Sequence, residues 1–191
     1  MAEHHHYILH KPFGYISQFI SNAPKSHKQK FLGELYDFAE GTMSIGRLDQ
    51  KSEGLLLLST DGKLSAEITG RGYEKEYYVQ LDGLITEEAI AQLQQPMTIN
   101  VNGDMINVAP AKARIIEDPG FEEREPKVRD DRHGPTSWAS IIINEGKYRQ
   151  VRKMCAAVNF PVLRLVRVRI GKLELGNLKN GEVIEVDQLL V

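Results

Sequence analysis

Residues Gly54-Leu55-Leu56-Leu57-Leu58 place four leucines in a row between a glycine and the turn-forming Thr60-Asp61-Gly62. A run this short and this apolar predicts a strand covered on both faces, because a strand with one wet face alternates apolar and polar side chains. Asp61-Gly62 closes that strand as a turn. Just upstream, Gly46-Arg47-Leu48-Asp49 puts a permissive backbone position before an apolar anchor flanked by two charges. Alternation about Leu48 places Arg47 and Asp49 on a shared exposed edge. A carboxylate so placed, tied to a buried strand, is held rigidly enough to react.

The 191 residues suffice for one sizeable core, or for two lobes sharing one sheet, and the apolar and charged fractions are those of an ordinary globular protein. No stretch of about 18 apolar residues exists to span a bilayer, and Met1-Ala2-Glu3-His4-His5-His6 lacks the basic and apolar regions of a secretory signal. The expectation is a soluble cytoplasmic protein without a membrane partner. Cys155 is the only cysteine, which rules out an internal disulfide and a thiolate metal site within one chain. The formal net charge is -2, yet Lys147 to Lys172 holds eight basic residues and no acidic one, leaving -2 - 8 = -10 for the remainder. Local potential governs approach more than net charge does, so this segment reads as a phosphate-binding face, with a solvated face paired to acidic neighbours as the competing reading.

Tyr7 to His10 predicts a strand running into the Lys11-Pro12-Phe13-Gly14 turn, with a polar loop at Ser21–Lys30. Apolar residues at Phe31, Leu32, Leu35, Phe38 and Ala39 predict a helix ending near Gly41. A short helix over Lys63–Thr69, a strand over Lys75–Leu81 and a Thr86-capped helix over Glu87–Gln95 follow. Met97 to Ile116 holds at least two strands around Asn102-Gly103 and Ala109-Pro110. The charge-dense Glu117–His133 segment reads as an exposed loop, either a mobile insertion or a flap that orders on a ligand. Ser137–Asn144 is β-rich, Lys147–Asn159 helical with Val151, Met154, Cys155 and Val158 on one apolar stripe, and Val162–Ile170 a strand. Hairpins interrupted by single helices make an α+β fold with a largely antiparallel sheet.

Four blocks carry a resemblance: Lys11-Pro12-Phe13-Gly14, the Gly46–Gly62 block, Lys75-Glu76-Tyr77, and Glu145-Gly146-Lys147-Tyr148-Arg149-Gln150-Val151-Arg152-Lys153-Met154. In this order they resemble the RsuA-like branch of the pseudouridine synthases, which modify ribosomal RNA. The resemblance implies a bent, largely antiparallel mixed sheet flanked by helices and loops around a central catalytic cleft. It implies an isomerase that needs no cofactor and no metal. Many relatives carry an N-terminal S4-type RNA-binding domain. Here the pattern starts within about ten residues of Met1, so residues 1–191 are expected to form a single catalytic domain without an S4 domain. The nearest layout is that of the short, S4-lacking RluE type, which implies 23S ribosomal RNA as partner and a protein acting as a monomer.

The resemblance makes Asp49 the catalytic aspartate, as nucleophile or as base; its competing role is turn-making. Tyr77 is implied to lie against the target uracil as a candidate proton-transfer group, with an ordinary core tyrosine as the alternative. Tyr78 falls on the other strand face and reads as packing. Arg152 is implied to pair with the catalytic aspartate, and Arg149, three positions before it, is placed on the same helix face. Lys147, Arg149 and Lys153 are candidates for RNA phosphate contacts, and Ile143 for an apolar wall of the uracil pocket. Arg47 is a candidate for filling the stack of a flipped-out nucleotide, against a plain salt bridge to Asp49 or Glu53. Lys11 and Gly14 read as framing. His4-His5-His6 with His10 could hold a metal ion, but a terminal histidine run is weak evidence for one. The competing functions are a non-catalytic RNA-binding or ribosome-assembly protein on the same fold, and a glycosidase-like hydrolase using Glu53 or Glu145 as a second carboxyl group.

Overall fold

The computed structural model describes residues 4–20, 29–129 and 131–191, so most of the expected Ser21–Lys30 loop lies outside the described residues. The chain divides into two compact units, residues 1–73 with 167–191, and residues 74–166.

The first unit is built on the leucine run. Strand β1 (His6–Lys11) pairs antiparallel with β5 (Glu53–Ser59), and β4 (Met43–Ile45) pairs with part of β5. All seven residues of β5 are buried, as a strand covered on both faces requires. Each of the four leucines withdrawn from water contributes about 1.5–3 kcal/mol. The C-terminal end of β11 (Val162–Ile170) runs beside β5, β12 (Leu173–Glu174) pairs with β11, and β13 (Val183–Val186) pairs with β1. β2 (Tyr15–Ile16) and β3 (Lys30–Phe31) make a small parallel pair. Asp61 does more than turn the chain: its carboxylate accepts from the Lys63 and Leu64 N–H groups at 2.9 and 3.2 Å and caps α1 (Gly62–Gly70).

The helix expected over Phe31–Ala39 is not there. One 3₁₀ turn, Leu32–Glu34, takes its place, with the Glu34 carboxylate accepting from the Phe31 N–H at 2.7 Å. Tyr36 and Phe38 both pack on Tyr7, with ring centroids 5.8 and 5.1 Å away, and Ala39 N–H donates to the Tyr7 hydroxyl. Residues two apart reach one ring in an extended chain, whereas a helix would turn them to different sides.

In the second unit β6 (Lys75–Asp82) pairs antiparallel with β10 (Thr136–Ile143), β10 pairs with β9 (Lys112–Ile116), and the N-terminal part of β11 flanks β6. β7 (Met97–Val101) and β8 (Asp104–Val108) form a separate hairpin turning at Asn102-Gly103, both at positive φ. Helix α2 (Glu87–Leu93) starts at Thr86, whose hydroxyl accepts from the Ala89 N–H at 3.3 Å. Helix α3 (Gln150–Ala157) begins three residues later than expected, because Arg149 is left-handed at φ 52 and cannot continue a right-handed helix. The stripe itself is as expected: Val151, Met154, Cys155 and Val158 are all buried.

The tightest spot in the first unit is Gly54, at φ +106, where a Cβ would sit 2.3 Å from the Arg167 carbonyl oxygen. Gly54→Ala should therefore cost about 3 kcal/mol or more in denaturant unfolding, from backbone strain and overlap together. Gly62→Ala, in open space at the first turn of α1, should be neutral or stabilising by about 0.5 kcal/mol. Equal stability of the two variants would contradict the packing described.

Candidate active site

Asp49 sits in a loop fastened on both sides. Before it, the buried Ser17 hydroxyl accepts from the Leu48 N–H at 2.9 Å and donates to the Leu48 carbonyl at 2.8 Å. After it, Gly14 N–H donates to the Gln50 carbonyl at 2.8 Å, and Gln50 Nε2 donates to the Gly14 carbonyl at 3.2 Å. Ser52 N–H closes the turn on the Asp49 carbonyl at 2.9 Å. The Asp49 side chain is half-buried and Arg47 exposed, with Leu48 buried between them, which is the alternation read from the sequence.

Behind this loop lies a buried cluster of charge. Lys11 is fully buried and its ammonium donates to the Pro12 and Tyr15 carbonyls at 2.9 and 2.7 Å. Burial pulls its pKa down to about 7, opposed by the negative charges of Glu53 and Asp49 and aided by Arg167. Glu53 is fully buried, and Arg167, also buried, donates from Nε to the Leu55 carbonyl at 2.8 Å. Asp49 is thus the only carboxylate of this group that reaches the surface of its unit. Lys11, expected to frame the sheet, is the centre of this buried cluster, and the pair of hydrogen bonds between Ser17 and Leu48 has no signature in the sequence.

The other proposed residues belong to the second unit. Tyr77 is buried and lies in register with Ile141 on the β6 face that carries Val79 and Leu81. Ile143, also buried, is two residues from Ile141 on β10 and shares that face. Tyr78 lies on the opposite face, packed on Phe121 with centroids 6.3 Å apart. Arg152 is half-buried on α3 and its Nη1 donates to the Val162 carbonyl at 3.3 Å. Arg149 precedes the helix in a left-handed turn, so the single helical face expected for Arg149 and Arg152 is not formed. Lys147 and Tyr148 are exposed beside it, and Lys153 donates to the Asn100 carbonyl.

Two members of the basic segment are buried. Arg164 is buried, donating to the Glu122 carbonyl at 3.0 Å, and Arg167 is buried against β5, so neither lies on an exposed phosphate face. The charged 117–129 stretch is not a loose insertion either, since Phe121, Arg124 and Arg129 all fasten it down. The histidines diverge: His4 meets Thr60, His5 meets Glu185, His6 meets Ser59 and His10 meets the Leu178 carbonyl. Among the described residues no group of three His, Cys, Asp or Glu is placed to hold a metal ion. Burial pushes the Cys155 thiol up to about 12, which makes it an inert core residue. Among the described residues no helix is long and apolar enough to cross a membrane.

A mixed sheet with three α-helices among the described residues is an α+β fold. The family model for RNA pseudouridylate synthase matches residues 5–157, so the chain belongs to the RNA pseudouridylate synthase family, an isomerase class. It is 37% identical over 181 residues to the ribosomal large subunit pseudouridine synthase E of Vibrio parahaemolyticus, covering 94% of this chain and 72% of that protein. It is 38% identical over 183 residues to the protein of the same name from Xanthomonas campestris pv. campestris, covering 92% and 91%. A crystal structure of a pseudouridylate synthase superposes with a TM-score of 0.74 at 26% identity, covering 97% of this chain and 71% of that one.

The buried lysine makes stability depend on pH in a defined direction. Its folded pKa lies near 7, below the ordinary value of 10.5, so between these values the unfolded chain binds the extra proton and stability rises with pH. The contribution is complete above pH 10.5 and is lost as pH falls to about 7. The difference in unfolding free energy between wild type and Lys11→Met should change by a few kcal/mol, to order of magnitude, between pH 7 and 10. A flat difference would show that Glu53 and Asp49 keep Lys11 charged.

Proposed function

We propose that this enzyme isomerises one uridine of large-subunit 23S ribosomal RNA to pseudouridine, with Asp49 as the catalytic aspartate. The observation that carries the substrate assignment is the similarity, along nearly the whole chain, to two proteins named as ribosomal large subunit pseudouridine synthases. Support for Asp49 comes from its position: a half-exposed carboxylate on a loop fixed through Leu48 and Gln50, in front of buried Lys11, Glu53 and Arg167.

The reaction breaks the bond from ribose C1′ to uracil N1, turns the base, and joins C1′ to C5. The proton on C5 leaves and N1 ends protonated, so atoms balance without oxidant or reductant. Asp49 attacks the ribose or the ring, or assists removal of a ribose proton. Tyr77 lies against the uracil and serves proton transfer, Ile143 walls the pocket, and Arg152 is the basic residue that orients Asp49. Arg47, exposed two residues before Asp49, fills the stack left by the flipped nucleotide. Lys147, Arg149 and Lys153 hold phosphates, positioning the RNA without reading its sequence. Residues 1–191 act as one catalytic domain, and since one chain carries every group named, a monomer suffices.

Tritium release from uridine labelled at C5 in unmodified 23S transcript tests this reading. Wild type should release tritium, and Asp49→Asn should be slower by at least about 10²-fold while still retaining the RNA on a filter. Undiminished release by Asp49→Asn would remove the residue from the chemistry. Release from 16S transcript alone would move the substrate to the small subunit.

A further inference from the structure

The two faces of β6 carry different equipment. Tyr77, Val79 and Leu81 share one face; Tyr78 and Gln80 share the other, with Trp138 of β10 in register opposite Gln80. The 117–129 segment lies over this second face and, with it, forms a partly open cavity of about 230 Å³, bounded by Gln80 and Trp138 below and by Phe121, Arg124 and Arg129 of the segment. Its volume is below the roughly 300–1,000 Å³ of pockets that engulf a drug-sized ligand, which suits a smaller fragment.

One side of the cavity is aromatic. Phe121 packs on Trp138 with centroids 5.8 Å apart and on Tyr78 at 6.3 Å. The other side is cationic. The Arg164 guanidinium lies 5.5 Å from the Phe121 ring centroid, and both Arg124 and Arg164 are more than nine-tenths buried, at 9% and 7% exposure. Each is oriented by a backbone carbonyl, Arg124 by Pro126 at 2.8 Å and Arg164 by Glu122 at 3.0 Å. Arg129 forks onto Asp82 at 2.6 and 2.7 Å, which ties the end of the segment to β6 and holds the Asp82 carboxyl below its usual range. Lys127 stands at the rim.

Two carboxylates also line the cavity. Asp118 accepts from the Gly120 N–H at 2.8 Å, and Glu123 lies 3.5 Å from Lys127 in an exposed pair worth little in water. The lining therefore offers an aromatic surface beside two buried guanidinium groups whose planar forks match phosphate. A ligand meeting both needs a flat ring and an anion joined a few ångströms apart, which describes a nucleotide.

We infer that this cavity, on the β6 face opposite Tyr77, binds one nucleotide of single-stranded RNA. The base rests against the Phe121–Trp138 side, and the phosphate lies toward Arg124, Arg164 and Lys127. This rests on the reading that the substrate is RNA. It gives the enzyme a second hold on the strand, away from the target uridine, and assigns the charged 117–129 segment the task of RNA selection.

Trp138 is the only tryptophan and lines the cavity, so its fluorescence reports the site alone. A five-residue oligouridylate should change that fluorescence saturably, Phe121→Leu should weaken the binding about five-fold or more, and Phe121→Tyr should restore it. Lys127→Glu, at an exposed rim position, should also weaken it and keeps the test open if Phe121→Leu does not fold. No saturable change, or equal binding by both weakening variants, would overturn the assignment. An identical response to inorganic phosphate would make the cavity an anion site only. Equal affinity for uridine monophosphate and the oligomer would overturn the assignment to an RNA strand in favour of a free nucleotide. On 23S transcript, Phe121→Leu should raise the half-saturating RNA concentration more than it lowers the maximal rate of tritium release. Absence of tritium release from wild type would count against the functional reading, and the Trp138 titration would still decide the cavity.

Discussion

The close approach of two backbones at Gly54 is the constraint on which the first unit depends. A hydrogen in place of a side chain lets the Arg167 backbone lie where any Cβ would collide, and the Arg167 guanidinium then reaches the neighbouring Leu55 carbonyl. Lys11 pairs with Gly54 across β1 and β5, so the same contact fixes where the lysine enters the interior. Glu53, next in the chain, is buried with it. Leu48 and Asp49 lie only a few residues upstream, and the Asp49 loop takes its bonds from Ser17 and Gly14, both in the segment that leaves β1. One missing Cβ thus sets the strand pairing, the buried charges and the seat of the proposed catalytic carboxylate.

If Asp49 is the proposed catalytic carboxylate, its seat reconciles stability with chemistry. A carboxylate that reacts must be accessible, while the groups that orient it are best kept from water. The first unit keeps Asp49 at its surface and buries Lys11, Glu53 and Arg167 behind it. A lysine without any solvent exposure is costly unless its partners compensate, and its lowered pKa records that the compensation is incomplete. The family's isomerisation and this chain's membership in it stand apart from these details. The particular ribosomal uridine and the individual residue roles are the proposals.

Much of the fold was legible because its signals are local. The four leucines, the Asn102-Gly103 hairpin, the Thr86 cap and the α3 stripe each follow from residues close in sequence, and each is present. The Phe31–Ala39 helix was misread because its apolar spacing serves Tyr7, a residue of β1 far away in the chain. The start of α3 was misplaced because nothing in Lys147-Tyr148-Arg149 announces a left-handed Arg149. In the candidate site, the exposed edge of Arg47 and Asp49 was readable from alternation. The Ser17 clasp, the burial of Arg164 and Arg167, and the cavity beneath residues 117–129 are tertiary, and charge counting placed those two arginines on an exposed basic face, phosphate-binding or merely solvated.

The central claim is that Asp49 carries uridine isomerisation on large-subunit ribosomal RNA. Its most direct test is to map pseudouridine across 23S RNA from cells lacking the gene, complemented with wild type or with Asp49→Asn. The account predicts one pseudouridine absent from the deletion strain, restored by wild type and not by Asp49→Asn expressed at the same level. An unchanged pseudouridine map in the deletion strain, or restoration by both proteins, would contradict it.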